Sequence, residues 1–373
     1  MKKEILISYA VVLSLSLFAA RGILAEGLPQ RDDPDFNPPI DNPAYSEGEG
    51  PLVVIDAAHH NFNTIANGKY RSFAELLERD GYVVEGSEGL YTKFTEDALE
   101  NIDVLVIVNA LNEANVGYEE GNWKLPTPSA FEDEEIKAVK NWVMEGGSLM
   151  LVADHLQFPG GATDLADALG FSLSNSYVMR ANSPLLLGKP DHEHNMIKFQ
   201  NSDGSLKPSP ILKGREGFDE AVDLVVSFTG EAFWIKPQSQ AKPLLSLPEG
   251  TVGLLPSVAD GFSEATPTIK TVGMLQGATL QLGDGKVAMF GEASMFSAQL
   301  SATPPEPSWE QGMNNPAAPQ NFQFALNVLH WLSGLLPTSP PDCVALGESQ
   351  PTIIDQDLNV HIPCAIYQGP FVD

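Results

Sequence analysis

Cysteine is nearly missing from this chain: 373 residues hold two, Cys343 and Cys364. Both fall near the carboxyl end, and neither follows a strand of the main sheet. A cysteine nucleophile in the body of the chain is therefore excluded. Basic residues are scarce as well: 21 Lys and Arg stand against 49 Asp and Glu, a formal net charge of −28. No Lys/Arg block interrupts the acidic background, so nucleic acid is not a partner. The acidity itself reads as solubility in a salty setting, where such charge is screened. G-x-S-x-G and G-x-C-x-G are absent, which removes the usual nucleophile elbows. G-x-G-x-x-G and the Walker loop are absent too, which argues against nucleotide binding. Neither H-E-x-x-H nor H-x-x-E-H occurs. No internal repeat is visible, and no long apolar stretch follows the amino terminus.

What is present begins with MKKEILISYAVVLSLSLFAARGILA. Lys2 and Lys3 form a basic start, Ile5 to Ala20 an apolar core, and Ala25 a cleavage position. Residues 1–25 read as a secretory signal peptide, so the mature protein is expected to be exported, periplasmic or extracellular. The apolar run is shorter than the ~20 residues a membrane span needs, and no membrane span is expected in the mature chain. Residues 26–50 are rich in Pro, Asp, Glu and Gly and read as a flexible acidic leader. Residues 51–337 read as one α/β domain and 338–373 as a small C-terminal β appendage. In an oxidising compartment the two cysteines of that appendage are expected to pair. Closing such a loop is worth about 3 kcal/mol in the chain-entropy model.

Along the domain, apolar runs alternate with helical patterns. Strands are expected at Leu52 to Asp56, Tyr82 to Val84, Ile102 to Val108 and Ser148 to Ala153. Between the last two lies SAFEDEEIKAVKNWVMEGG. Ser129 and Glu132 match a capping box, and acidic residues crowd the first turn, where the helix dipole favours them. Ile136, Val139 and Val143 form its inner stripe. Residues 163–169 are a further short helix, and residues 175–215 look irregular. Strands are expected again at Asp223 to Phe228 and Ala232 to Ile235. Thr279 to Leu282 and Lys286 to Phe290 flank Gly283-Asp284-Gly285, a hairpin signal. A helix from Asn321 has Phe322, Leu326, Leu329 and Leu332 on one face. The alternation implies βαβ units: an α/β, flavodoxin-like, mostly parallel sheet with helices on both faces.

Ligands of open α/β sheets gather beyond the carboxyl ends of the strands. There the sequence places His59, His60 and Asn61, then Asn109 and Asn112, then Asp154 and His155, and finally Glu292. Histidine and carboxylate together suit general acid–base work, for which His59, His60, Asp154, His155 and Glu292 are the candidates. They also suit a divalent metal such as zinc, with His60, Asp154 and His155 as ligands. The same side chains could instead cap helix ends and bond loop backbone. Consecutive residues at a strand end point to opposite sides. One of His59 and His60 is therefore expected to reach Asp154 or His155. Asp191-His192-Glu193-His194 is a second histidine-rich stretch, read as a solvated loop. His330, beside Gln323 and Asn327, reads as surface, and His361 as packed within the appendage.

The runs VVIDAAHHNFNT, IDVLVIVNA and FEDEEIKAVKNWVMEGGSLMLVADH, with GDGKVAMFGEASMF and NFQFALNVLHWLSG further on, resemble the class I glutamine amidotransferase-like superfamily. The resemblance covers roughly residues 51–335 and is nearest to exported branches and to trehalose-utilisation-type domains. It implies a flavodoxin-like sheet with its functional rim at the strand ends. True members of the amidotransferase class carry a cysteine on a sharp turn after a sheet strand. Here SLMLVA runs into Asp154-His155, so glutamine hydrolysis by that route is excluded.

Three functions follow as expectations. The first is an exported hydrolase, metal-assisted or not. The second is a non-catalytic module for a small-molecule or carbohydrate ligand, with aromatics such as Phe62, Phe158 and Phe296 around the rim. The third is an assembly component that docks through residues 338–373.

Overall fold

Alternation inside the apolar runs decides the architecture. In β1 (Leu52–Ile55) successive side chains point to opposite faces, so Val53 and Ile55 join one hydrophobic cluster and Val54 the other. The computed structural model describes residues 30–117, 124–183, 196–257, 262–263, 265–301 and 309–338. It adds the backbone of two short strands, Ile353–Ile354 and Val360–His361. The signal segment, the stretch from Asp191 to His194, the Cys343–Cys364 pairing and the His361 side chain lie outside the described residues. No helix among the described residues is long and apolar enough to cross a membrane.

The chain runs from β1 through α1 (Arg71–Arg79), β2 (Val83–Gly86), β3 (Val104–Val108), α2 (Asp133–Met144), β4 (Ser148–Val152) and α3 (Phe158–Ala168). Then come β5 (Phe171–Leu173), β6 (Phe233–Ile235), β7 (Lys242–Ser246), β8 (Leu275–Leu282), β9 (Gly285–Phe290) and α4 (Asn321–Leu332). The nine-stranded sheet has the order β2-β1-β3-β4-β9-β8-β6-β5, with β7 also paired to β8. Its first five strands are parallel, in the doubly wound order whose switch point lies between β1 and β3. Residues of α1 and α4 belong to the cluster that covers one face of these strands. Residues of α2 and α3 belong to the cluster on the other face. The stripe of Ile136, Val139 and Val143 is buried as its spacing predicts.

The sheet is not mostly parallel. Four of its pairings are parallel and four are antiparallel. The hairpin at Gly283-Asp284 is the cause, because it returns β8 beside β9 instead of crossing over. Gly283 has φ 60°, and a Cβ there would stand 2.3 Å from the Met144 carbonyl oxygen. The short strands at 177–180 and 197–200 lie in the stretch read as irregular.

Two readings from composition need correction. Residues 30–50 are laid onto the domain. Gln30–Asp32 pairs with Ala298–Ser301, and the Ala44 N–H donates to Asp80 Oδ1 at 2.8 Å. Phe36, Ile40 and Tyr45 pack against the core, so three well-spaced apolar anchors outweigh the polar majority. His330 is buried, 1 % exposed, with Nε2 2.7 Å from Asp80 Oδ2. It therefore sits under the same segment that Asp80 holds.

Candidate functional site

Because the first strands are parallel, their carboxyl ends share one rim. The Asn109 Oδ1 after β3 accepts from the Asp154 N–H at 2.8 Å, and its Nδ2 donates to Asn63 Oδ1 at 2.8 Å. Asn109 thus ties the loop after β1 to the end of β4. The described non-glycine residues at positive φ are His60 (48°), Asn109 (54°), Gln157 (96°), Asn175 (51°) and Thr229 (152°). Of these, His60, Asn109 and Gln157 follow the parallel strands β1, β3 and β4 at this rim. Such backbone is costly and persists where the surroundings over-determine it, often at functional sites.

At the switch point lies a cleft of about 400 Å³, walled by residues 58–60, 92–93, 111–113, 129–132 and Glu135. His59 forms its floor. Its Nδ1 lies 2.8 Å from Asp56 Oδ2 and its Nε2 2.9 Å from Glu135 Oε1. Both ring nitrogens face carboxylate oxygens, an arrangement that favours the imidazolium, in which both donate. Burial alone would lower its pKa, but the Asp56 bond and charge, followed by those of Glu135, raise it above the ordinary value. Phe94 and Phe131 cover the ring, with centroids at 4.3 and 4.9 Å. Burial would raise the Glu135 carboxyl, but the Glu132 N–H, His59 and the Phe94 N–H together hold it below its ordinary range.

The start of α2 explains Glu135. The helix begins at Asp133 with Glu132 as N-cap, and Glu135 Oε2 accepts from the Glu132 N–H at 2.9 Å. The expected cap, Ser129, lies outside the helix and bonds Phe131 instead. Phe131 is drawn against Phe94 and His59, and this shifts the helix start by one turn.

A second cluster sits under the ends of β4 and β9. Asp154 Oδ1 accepts from the His155 N–H and Oδ2 from the Ala293 N–H, at 2.7 and 3.2 Å. Glu292 accepts from the Ser294 and Met295 N–H groups at 2.9 and 2.7 Å. Burial, followed by the charge of Asp154, pushes Glu292 well above its ordinary range. Glu231, fully buried, is pushed well up by burial, with a further push from Asp154. Its Oε2 takes the Ser174 and Asn175 N–H groups, while Oε1 has no hydrogen-bond partner. Tyr70 is also pushed up, by burial and then by Glu292 and Asp154.

The five residues expected to share a site are therefore divided. Asp154, His155 and Glu292 belong to the second cluster. His59 is engaged by Asp56 and Glu135, not by Asp154 or His155. His60 is exposed at the lip of the cleft. The zinc set of His60, Asp154 and His155 does not fit. No three His, Cys, Asp or Glu side chains among the described residues are grouped to hold a metal ion. Both Asp154 oxygens accept backbone N–H groups, and the His155 ring lies flat on Tyr177, 4.3 Å between centroids. Sequence reasoning missed Asp56, Glu135 and Glu231. Asp56 had a signal, three residues before a histidine at a strand end; Glu135 read as one more acid of a helix start.

Phe62 and Phe158 do meet on the rim, 5.3 Å apart, and Phe158 continues to His155 at 5.7 Å. Phe296 is fully buried against Phe290 and Phe324 in the core.

No protein-family model and no curated protein matches the chain. Solved structures of similar shape do. The N-terminal domain of mmIFT52 has 13% identity and a TM-score of 0.47, covering 76% of this chain and 97% of that one. A thua-like protein from Bacteroides uniformis has 10% identity and a TM-score of 0.41, covering 79% and 94%. A cytoplasmic protein from Salmonella typhimurium has 12% identity and a TM-score of 0.42, covering 76% and 98%.

Proposed function

We propose that this is an exported binding module that takes a small polyhydroxylated molecule, a saccharide or glycan fragment, in the cleft between the ends of β1 and β3. It does not hydrolyse what it binds. One observation carries the reading: both His59 ring nitrogens lie under 3 Å from carboxylate oxygens, of Asp56 and Glu135. A general base needs a lone pair within reach of the proton it removes, and both nitrogens of this imidazole are already engaged. The cleft's size, about 400 Å³, suits a small ligand. Its lining mixes polar side chains, Thr92 together with Asn112 and Ser129, which also brace the Ser129, Ala114 and Phe131 backbone, with Leu111 and Phe131. That mixture serves the hydroxyls and the ring faces of a sugar.

The other carboxylates named for hydrolysis are Asp154 and Glu292, of which burial and then the Asp154 charge push Glu292 well up. Both are nearly fully buried, and their oxygens are turned to backbone N–H groups. The test is calorimetric titration with a panel of neutral mono- and disaccharides, followed by chromatography of each mixture. Binding without new sugar products is expected. Glu113→Ala, at the exposed lip, should weaken binding at least tenfold with an unchanged melting temperature. An empty panel, or accumulation of hydrolysis products, refutes the reading.

A further inference from the structure

We propose that this cleft is proton-gated: the His59 imidazolium ties its walls together, and loss of that proton separates them. The geometry of Glu135 supports this. One carboxylate accepts from His59 Nε2 at 2.9 Å, from the Phe94 N–H at 3.0 Å and from the Glu132 N–H at 2.9 Å. Those three partners belong to three walls: the loop after β1, the segment before Phe94 and the start of α2. The other carboxylate, Asp56, accepts from His59 Nδ1 at 2.8 Å, from the Ala58 N–H at 3.2 Å and from Ser87 Oγ at 3.4 Å.

A neutral imidazole has one N–H and one lone pair. With two carboxylates under 3 Å away, one of them would then face a lone pair in a buried site. Asp56 is fully buried at the strand end and cannot withdraw. Glu135 stands on the cleft side, so the His59–Glu135 contact is the one that parts. The groups around the ring all bear on this event. The Phe94 and Phe131 faces are uncharged, and the Tyr91 hydroxyl, beside Asp56 and Glu88, stays protonated because burial and those acids push it up. Lys93 and Glu132 form an exposed pair at the mouth. Two carboxylates against the ring hold the proton to a pH above the 6.5 of an ordinary histidine. The cleft is therefore intact below the pH at which the ring gives up that proton and loosens as pH rises through it. If the cleft binds the saccharide proposed above, affinity falls over the same interval.

The experiment needs no ligand. On the full chain, NMR of ring-labelled histidine follows the protonation of His59. Hydrogen exchange read by mass spectrometry follows peptides covering Phe94 and Glu132. After correction for intrinsic exchange rates, protection at both should fall at least tenfold across the His59 titration, while peptides of α1 stay unchanged. Glu135→Gln should abolish the dependence: its uncharged amide cannot both donate to the neutral ring and accept from the Phe94 N–H at the position of Oε1, so loss of the His59 proton no longer changes a carboxylate contact. His59→Gln, as a second variant, should show fast exchange at every pH. Constant wild-type protection through the titration overturns the gate. So does a ring already neutral near pH 6, or one still protonated beyond about pH 10. An empty saccharide panel would refute the binding reading and leave the gate standing; a flat exchange profile would do the reverse.

Discussion

Glu135→Ala is the sharpest test of the hub beneath the cleft. The carboxylate lies in a nearly closed site, 4 % exposed, and three donors depend on it. Two are backbone N–H groups, of Phe94 and Glu132. Leaving a buried donor unsatisfied costs about 1–3 kcal/mol. The third is an imidazolium that would keep Asp56 but lose its second counter-charge. Removing one partner of a buried ion pair costs about 3–5 kcal/mol. These losses share one side chain and do not add in full. The expected destabilisation is about 3–6 kcal/mol, a large part of the ~5–15 kcal/mol that holds a typical domain. Urea unfolding at neutral pH, followed by far-ultraviolet circular dichroism, measures it. Lys93→Ala removes only an exposed partner of Glu132 and should leave the midpoint unchanged. A loss below ~1 kcal/mol for Glu135→Ala would refute the reasoning, because a merely helical surface glutamate costs that much or less.

Two further outcomes follow. Val139→Asp places a carboxylate at a fully buried position between α2 and the sheet, so it should cost several kcal/mol in the same unfolding assay. A small change would mean that the helix does not need that face. Glu231→Gln should raise the melting temperature near pH 8 and leave it unchanged at or below about pH 4.5. The unfolded glutamate ionises from about 4.5 while the folded one stays protonated, so wild-type stability falls as pH rises toward the folded pKa. Each pH unit of that interval is worth about 1.4 kcal/mol. Equal melting temperatures at pH 8 would contradict the raised pKa.

Much of the sheet was legible because a strand buried on both faces leaves an unbroken apolar run, as in Val104–Val108, buried at every position. The helices were legible from spacing: Ile136, Val139 and Val143 recur at helical intervals and are buried together. The rim was legible by position alone, since parallel strands must end on one side. What spacing could not give is which rim residues meet. His59 and Glu135 are 76 residues apart, His330 and Asp80 are 250 apart, and only the packing of helices on the sheet joins them. Composition misled at residues 30–50, where Phe36, Ile40 and Tyr45 are few yet spaced to reach the core. It misled again at His330, whose neighbours Gln323 and Asn327 look like a wet face. In the fold the Asn327 amide bonds the Ile211 and Glu220 carbonyls instead.

The two acidic clusters of the rim obey opposite electrostatics, and this difference decides which can serve a ligand. Around His59 the imidazole lies between Asp56 and Glu135; the two acids push its pKa up and it helps hold Glu135 down, so the site favours an internal ion held by short hydrogen bonds. Around Asp154 the partners among the described residues are backbone N–H groups. Burial, with the Asp154 charge, pushes the Glu231 and Glu292 carboxyls toward their protonated forms, and Tyr70 is pushed up beside them. A cluster that must shed charge to remain buried is poorly placed to receive a polar ligand, because each new dipole competes with satisfied backbone donors such as Ser294 and Met295. A cluster held together by an internal ion can stiffen the wall of a cleft while the outward face of that wall stays free for other bonds. The chain's −28 charge sharpens the contrast. In so acidic a protein, burying carboxylates at a strand-end rim requires either a proton or a cation, and the rim uses one solution on each side of Asn109.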